Sequence, residues 1–360
     1  MRRLRRIVIV GVLLVAVGAL GGCETVGYYA QAVRGQAEVW YSTRSVDAVV
    51  ADPGASPQLK ERLQNASRIR EFASRELGLP DNGSYRGYAD LKRPYVVWNV
   101  FAAEPYSVAP RQWCFPVAGC VAYKGYFSKE EAEAFAEQLR RSGNDVHIGG
   151  VPAYSTLGYL SDPLLNTFMH YPPAELARLI FHELAHQLIY VSGDTVFNES
   201  FAVAVEREGV KRWMLRHGSP EALAAFYRSQ ERREAFQSLV LGYRSRLERL
   251  FASETDTQAL AAGKTRIYAE LDEAYQDLKR SWGGFRGYDR WLGVNANNAS
   301  LASIAVYTQW VPAFESILVQ SDGDLPKFYA EVRRLADMSK DERQAHLTRL
   351  LPPRTRISAF

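Results

Sequence analysis

Phe181-His182-Glu183-Leu184-Ala185-His186-Gln187 is the stretch on which the reading of this chain turns. Pro172-Pro173 stand before it, and Leu176, Leu179, Ile180, Leu184 and Leu188 recur around it at helical spacing. On such a helix His182 and His186 lie one turn apart on one face, about 6 Å between their Cβ atoms. Two imidazoles at that separation can grip one tetrahedral Zn²⁺ at roughly 2.0–2.1 Å each. Glu183 sits beside them, where a general base for a water at the metal would stand. Burying two His and a Glu on an apolar helix is costly unless each finds a partner.

A catalytic zinc needs a third protein ligand and leaves a fourth position open. Val191-Ser192-Gly193-Asp194-Thr195-Val196-Phe197-Asn198-Glu199-Ser200-Phe201-Ala202 follows. Gly193 suits the end of the first helix, and Asp194 or Thr195 suits the cap of the next. The two helices then run antiparallel through a tight turn, and Glu199 comes level with His186. Glu199 is the expected third ligand, with Asp194 as the rival carboxylate. Glu206, seven residues further on the same face, is placed to accept the other ring N–H of a ligand His. A second class of reading remains open, in which these residues are a hydrogen-bonded network that ties two helices together without a metal.

The N-terminus reads as an export signal. Arg2, Arg3, Arg5 and Arg6 precede an apolar run from Ile7 to Leu20, too short for a membrane span and right for a signal core. Leu20-Gly21-Gly22-Cys23 is similar to a bacterial lipoprotein cleavage box, with Cys23 as the lipidated residue. The expected location is the cell envelope, membrane-anchored and facing the periplasm. Without residues 1–22 the chain has 40 basic and 40 acidic residues. It therefore lacks the basic footprint of nucleic-acid binding. Cys114 and Cys120 remain as a pair around a Pro- and Gly-containing loop. An oxidising compartment permits a short disulfide there, the alternative being two small buried thiols.

Along the chain, residues 23–94 read as an N-terminal helical region, 95–172 as a small α+β subdomain, and 173–360 as a helical region carrying the zinc site. Strands are expected at 95–101, 117–127, 145–149 and 151–157, and a capped helix after Ser128. From Pro173 onward the helix candidates are 173–191, 196–216, 219–251, 257–281, 298–317 and 325–350. The fold class is thus α+β but predominantly helical: a zincin-like catalytic core, a small strand-bearing subdomain and a C-terminal helical bundle.

Phe181 to Gln187 followed by Asn198-Glu199 and Glu206 resembles the gluzincin clan of zinc peptidases, in which Asn-Glu opens the helix of the third ligand. The 12 residues between His186 and Glu199 are fewer than in thermolysin-like members. More closely, the chain resembles a family of bacterial lipoproteins described as zinc aminopeptidases. Trp113 to Cys120, Ala153 to Gly158, Phe181 to Gln187, Gly193 to Ala202, Asn297-Asn298-Ala299, Tyr307 and Pro312 carry that resemblance. It implies a Zn²⁺ cofactor, a peptide or protein substrate, and hydrolysis with Glu183 as base. Asn198 is expected to support the ligand set. Tyr307 is the candidate donor to the oxyanion, and Ala153, Tyr154, Ser155 and Thr156 the candidate edge strand for a substrate backbone. An envelope endopeptidase would share every zinc residue, and a zinc-stabilised scaffold lipoprotein would have the helix pair without turnover.

Overall fold

The computed structural model of the chain describes residues 26–115, 119–292 and 296–351, and of residues 305–308 the backbone only. The expected signal segment 1–22, Cys23 and the side chain of Tyr307 lie outside the described residues. Among those described, no helix is long and apolar enough to cross a membrane.

Two antiparallel helices form the centre. Helix α5 (Pro173–Leu188) begins at a proline, whose missing N–H costs nothing in the first turn. Helix α6 (Thr195–His217) begins at Asp194, whose side chain accepts from the Phe197 N–H. α5 buries Leu176, Leu179, Ile180, Phe181 and Leu184. α6 is buried around most of its circumference, Phe197, Phe201, Val205 and Val210 included, as a helix wrapped on all sides must be. Its wrapping comes from α3 (Pro57–Arg75) on one side and from α10 (Val311–Gln320), α11 (Leu325–Ala336) and α12 (Lys340–Leu350) on another. Phe314 meets both Phe197 and Phe201, and Phe328 stacks on Phe201. The turn between α5 and α6 differs from expectation. α5 already stops at Leu188, and Gly193, at φ +79°, makes a separate bend five residues later.

A three-stranded antiparallel sheet, ordered β6 (Lys124–Tyr126), β3 (Val97–Ala103), β7 (Asp145–Val151), flanks the helix pair. Every residue of β3 is buried, because helices cover both faces. Trp98, Val100 and Ala102 pack with Ala132, Ala136 and Leu139 of α4 (Lys129–Arg141). Phe101 and Ala103 face Ala299 of α9 (Asn298–Thr308). A smaller sheet joins β1 (Thr43–Ser45), β2 (Gly87–Ala89) and β8 (Leu164–Leu165). The hairpin of β4 (Trp113–Phe115) and β5 (Gly119–Val121) is closed by a Cys114–Cys120 disulfide. Gly119, at φ +72°, lies so close to Gly193 that a Cβ would come within 2.4 Å of its backbone N. The hairpin is thereby set directly against the α5–α6 turn. Residues 26–41 form helix α1, and Val46–Ala51 the short α2. The long pair α7 (Pro220–Ser253) and α8 (Thr257–Ser281) has its own core around Phe236, Val240, Leu247, Ile267 and Leu271.

Other expectations are corrected as well. The strand expected at 117–127 is, among the described residues, two short ones, β5 and β6, in different sheets. The strand expected at 151–157 is a loop: Pro152 offers no N–H to a ladder that ends at Val151. The helix expected at 298–317 breaks between α9 and α10, where Pro312 stands in the first turn of the second piece. The helix expected at 325–350 is two, because Ser339 and Glu342 build a capping box that starts a new one.

His147 on β7 lies among the Phe101 and Trp291 rings, and burial pushes its pKa from 6.5 to about 4. The unfolded chain therefore takes up a proton that the folded chain refuses. The stability this group leaves intact above pH 6.5 is lost as pH falls towards about 4. Denaturant melts at about pH 7 and about pH 5 test this. His147→Phe is expected to lose about 2 kcal/mol less than the parent chain over that interval; equal losses would show an ordinary histidine.

Candidate metal centre

His182 and His186 project from α5 towards Glu199 on α6. The His182 and His186 Nε2 atoms are 3.2 Å apart. His182 Nε2 is 3.2 Å and His186 Nε2 3.6 Å from Glu199 Oε2. These three are the group among the described residues that could hold a metal ion, their ligand atoms all lying within 4.8 Å of one another. A tetrahedral ion with bonds of roughly 2.0–2.1 Å requires ligand atoms about 3.3–3.4 Å apart. The spacing therefore fits an ion of the size of zinc. His186 is buried and its Nδ1 has no hydrogen-bond partner among the described residues, so Nε2, turned to the cluster, is its working atom.

Glu206 Oε2 stands 2.9 Å from His182 Nδ1 and accepts from Arg178 Nη1 at 3.1 Å. That contact fixes a proton on Nδ1 and turns Nε2 to the cluster, where it would serve as the ligand atom once its own proton is displaced by an ion. Arg178, one turn before His182, also bonds Glu175 at 2.7 Å. Arg233 of α7 donates to Glu175 at 3.0 Å. The helix pair thus carries a chain of alternating charge, Glu175, Arg178, Glu206 and His182, closed off by Arg233.

Burial opposes ionisation of Glu199, and the imidazoles of His186 and His182 overrule it, so its carboxylate is held well below the ordinary range. Glu206 behaves likewise, with Arg178 as the strongest counterweight to burial. Burial also opposes charge on His182, but the Glu199 and Glu206 carboxylates raise it. Burial moves Glu183 the other way. Its carboxyl is pushed up, with Glu199 and Glu206 adding to the effect against the two His. A carboxylate so placed is a stronger base than one in water.

The cluster opens into a cleft of about 1220 Å³ lined by Glu183, His182, His186, Glu199 and Glu206. Its walls are mostly apolar and include the rings of Tyr28 from α1, Tyr123, Phe127, Tyr154 and Tyr190, with exposed Trp40 at the rim. Ala153, Tyr154 and Ser155 line it as a loop, not as the edge strand expected of them. Thr156 does not line it; its N–H is taken by Asp162, 3.1 Å away. Asn198 lies at the cleft but holds the backbone instead, bonding Val191 N and O at 2.8 Å each. Asp194 caps α6 and pairs with buried Arg343 at 2.8 Å. It stands outside the His182–His186–Glu199 group, which sets the rival ligand aside.

Some supports were not foreseen. Gln187 Nε2 donates to Asp162 at 3.1 Å and Ser84 at 3.2 Å, while its Oε1 accepts from Asn82 at 2.7 Å. Fully buried Arg70 holds the same turn through the carbonyls of Pro80 and Ser84. This network ties the cleft wall to α5. Arg178 was readable as the residue four before His182. Arg233, Tyr28 and Tyr123 come from distant elements and leave no local signal.

A family model described as "putative aminopeptidase" matches residues 27–347. The chain belongs to that family. No curated protein and no solved structure matches it. The family's description implies a peptide substrate, and the match spans α1, both sheets and the helix pair alike.

Metal affinity, read by competition with a chromophoric chelator, checks the ligand assignment. Glu206→Gln is expected to weaken binding about 10–100-fold by freeing the His182 ring. Glu199→Ala is expected to weaken it further. Parent affinity in Glu199→Ala would exclude that carboxylate as a ligand.

Proposed function

We propose that the protein is a zinc-dependent peptidase of the bacterial cell envelope, anchored through Cys23 and facing the periplasm. One observation carries the reading. Two imidazoles and a carboxylate converge at tetrahedral spacing beside Glu183, at the base of a cleft large enough for a peptide. His182, His186 and Glu199 would hold the zinc, which supplies Lewis acidity and brings the pKa of a bound water towards about 7. Glu183 takes the proton of the attacking water and returns it to the leaving amine. Its raised pKa suits both transfers. Glu206, braced by Arg178, keeps the His182 ring turned so that Nε2 faces the ion. The aromatic walls exclude water from around the scissile bond and bind side chains. Tyr307 remains the proposed oxyanion donor.

The family's description points to cleavage at a free amino terminus. A second reading, an endopeptidase, is favoured by one feature of the cleft. Its only carboxylates among the described residues are Glu183, Glu199 and Glu206, all engaged at the metal centre. Asp162 is turned away into the Gln187 network, and Glu175 into Arg178 and Arg233. A free α-amine is left without an acidic partner of its own.

Two experiments test these readings. Glu183→Gln is expected to retain metal and lose about 10²–10⁴-fold in kcat; parent turnover in that variant would remove Glu183 as the base. On matched peptides with free and acetylated amino termini, the endopeptidase reading expects comparable kcat/KM. Cleavage confined to the free peptides would establish the exopeptidase.

A further inference from the structure

Helix α1 is docked by one face only. Gln31, Gly35 and Val39, spaced by single turns, lie against the β6 side of the molecule. Gln31 accepts from Phe127 N at 3.0 Å, Gly35 meets the Phe127 ring with no room for a Cβ, and Val39 is buried. Arg34 and Glu38 flank this face and are paired with Glu131 and Arg93. The opposite face carries Val26, Tyr29, Val33 and Trp40, at i, i+3, i+7 and i+14, a single stripe on a helix. Val33 is 69% and Trp40 70% exposed, and Tyr41 just beyond is 87% exposed. The stripe holds no charged residue. Tyr159 and Leu160, also exposed, add to the apolar surface, and Leu160 shares the rim of the cleft with Val33 and Trp40.

What covers this face follows from where the preceding chain ends. The apolar run Ile7 to Leu20 and Cys23 stop just ahead of Val26. Three residues reach at most about 10 Å even when fully extended. A lipid on Cys23 therefore brings the first turn of α1 to the bilayer surface. The helix is about 24 Å long at 1.5 Å per residue. Lying flat, it places valines near the anchor and Trp40 and Tyr41 at the far end, where amphipathic aromatic rings favour the headgroup boundary.

We infer that the uncharged face of α1 rests in the interfacial layer of the phospholipid bilayer, so that the cleft opens beside the membrane surface. The inference rests on the anchored reading proposed above. Its consequence is that substrate enters along the membrane, past Val33, Trp40 and Leu160, rather than from bulk solvent.

Trp40 is the exposed member of the chain's seven tryptophans, which allows a direct test. The full-length chain, produced in a bacterial host, is reconstituted on phosphatidylcholine vesicles with or without acyl chains brominated near the headgroup. The Trp40 signal is the difference between the parent and Trp40→Phe. Brominated vesicles are expected to quench at least half of that signal, and aqueous iodide to leave most of it. A chain that floats with vesicles while iodide, not bromolipid, quenches Trp40 would overturn the docking and leave the anchor standing. Protection from both quenchers would place protein on the stripe, a second copy first, and overturn it equally. A chain that does not float would remove the anchor and the docking together, whereas peptidase activity would be untouched as a separate question.

Discussion

Two imidazoles and a carboxylate can share one buried space only if something neutralises the strain of bringing them there. In this fold His182, His186 and Glu199 meet at the contact of α5 and α6, with ligand atoms within 4.8 Å of one another. Each charge removed from water there costs several kcal/mol unless it is paired. The pairing is visible: Glu206 against His182 and Arg178, Glu175 against Arg178 and Arg233. Glu183 is the exception, with burial raising its pKa. An ionisable group perturbed by burial beside such a cluster, at the wall of a cleft, is a candidate for the general base of the proposed reaction.

The rest of the architecture keeps that contact rigid. α6 can carry Asn198, Glu199 and Glu206 in its interior because its other faces are packed by Phe314, Phe328 and the α3 side. The α5–α6 turn is fixed three times over: by Asn198 on Val191, by Asp194 on Arg343, and by Gly119 of the disulfide hairpin pressed on Gly193. The cleft wall is fixed to α5 by Gln187 and Asp162. These contacts confine His182, His186, Glu183 and Glu199 to a small range of positions, which is what the proposed hydrolysis would require.

The helix pair was legible because its signals are local: apolar spacing around His182 and His186, a cap at Asp194, a carboxylate one turn into the next helix. The capped helix α4 and the strand β3 were legible for the same reason. The 151–157 strand misled because Val, Tyr and Thr favour extended backbone on either side of a proline that ends the ladder. The 298–317 and 325–350 helices ran on in the reading because their breaks, at Trp310 and Ser339, keep the apolar period nearly in phase. The cleft itself was not legible. Its walls join Tyr28, Tyr123, Tyr154 and Arg233 from four separated segments, and only tertiary packing brings them together.

The central claim is that one ion is held jointly by α5 and α6. Anomalous diffraction across the zinc absorption edge, on crystals of the protein grown with zinc, tests it most directly. The account predicts a single strong peak, present above the edge and absent below it, about 2 Å from His182 Nε2, His186 Nε2 and a Glu199 carboxylate oxygen. A peak seated elsewhere, or zinc-supplemented crystals with Glu199 turned away from both rings and no peak between them, would contradict it.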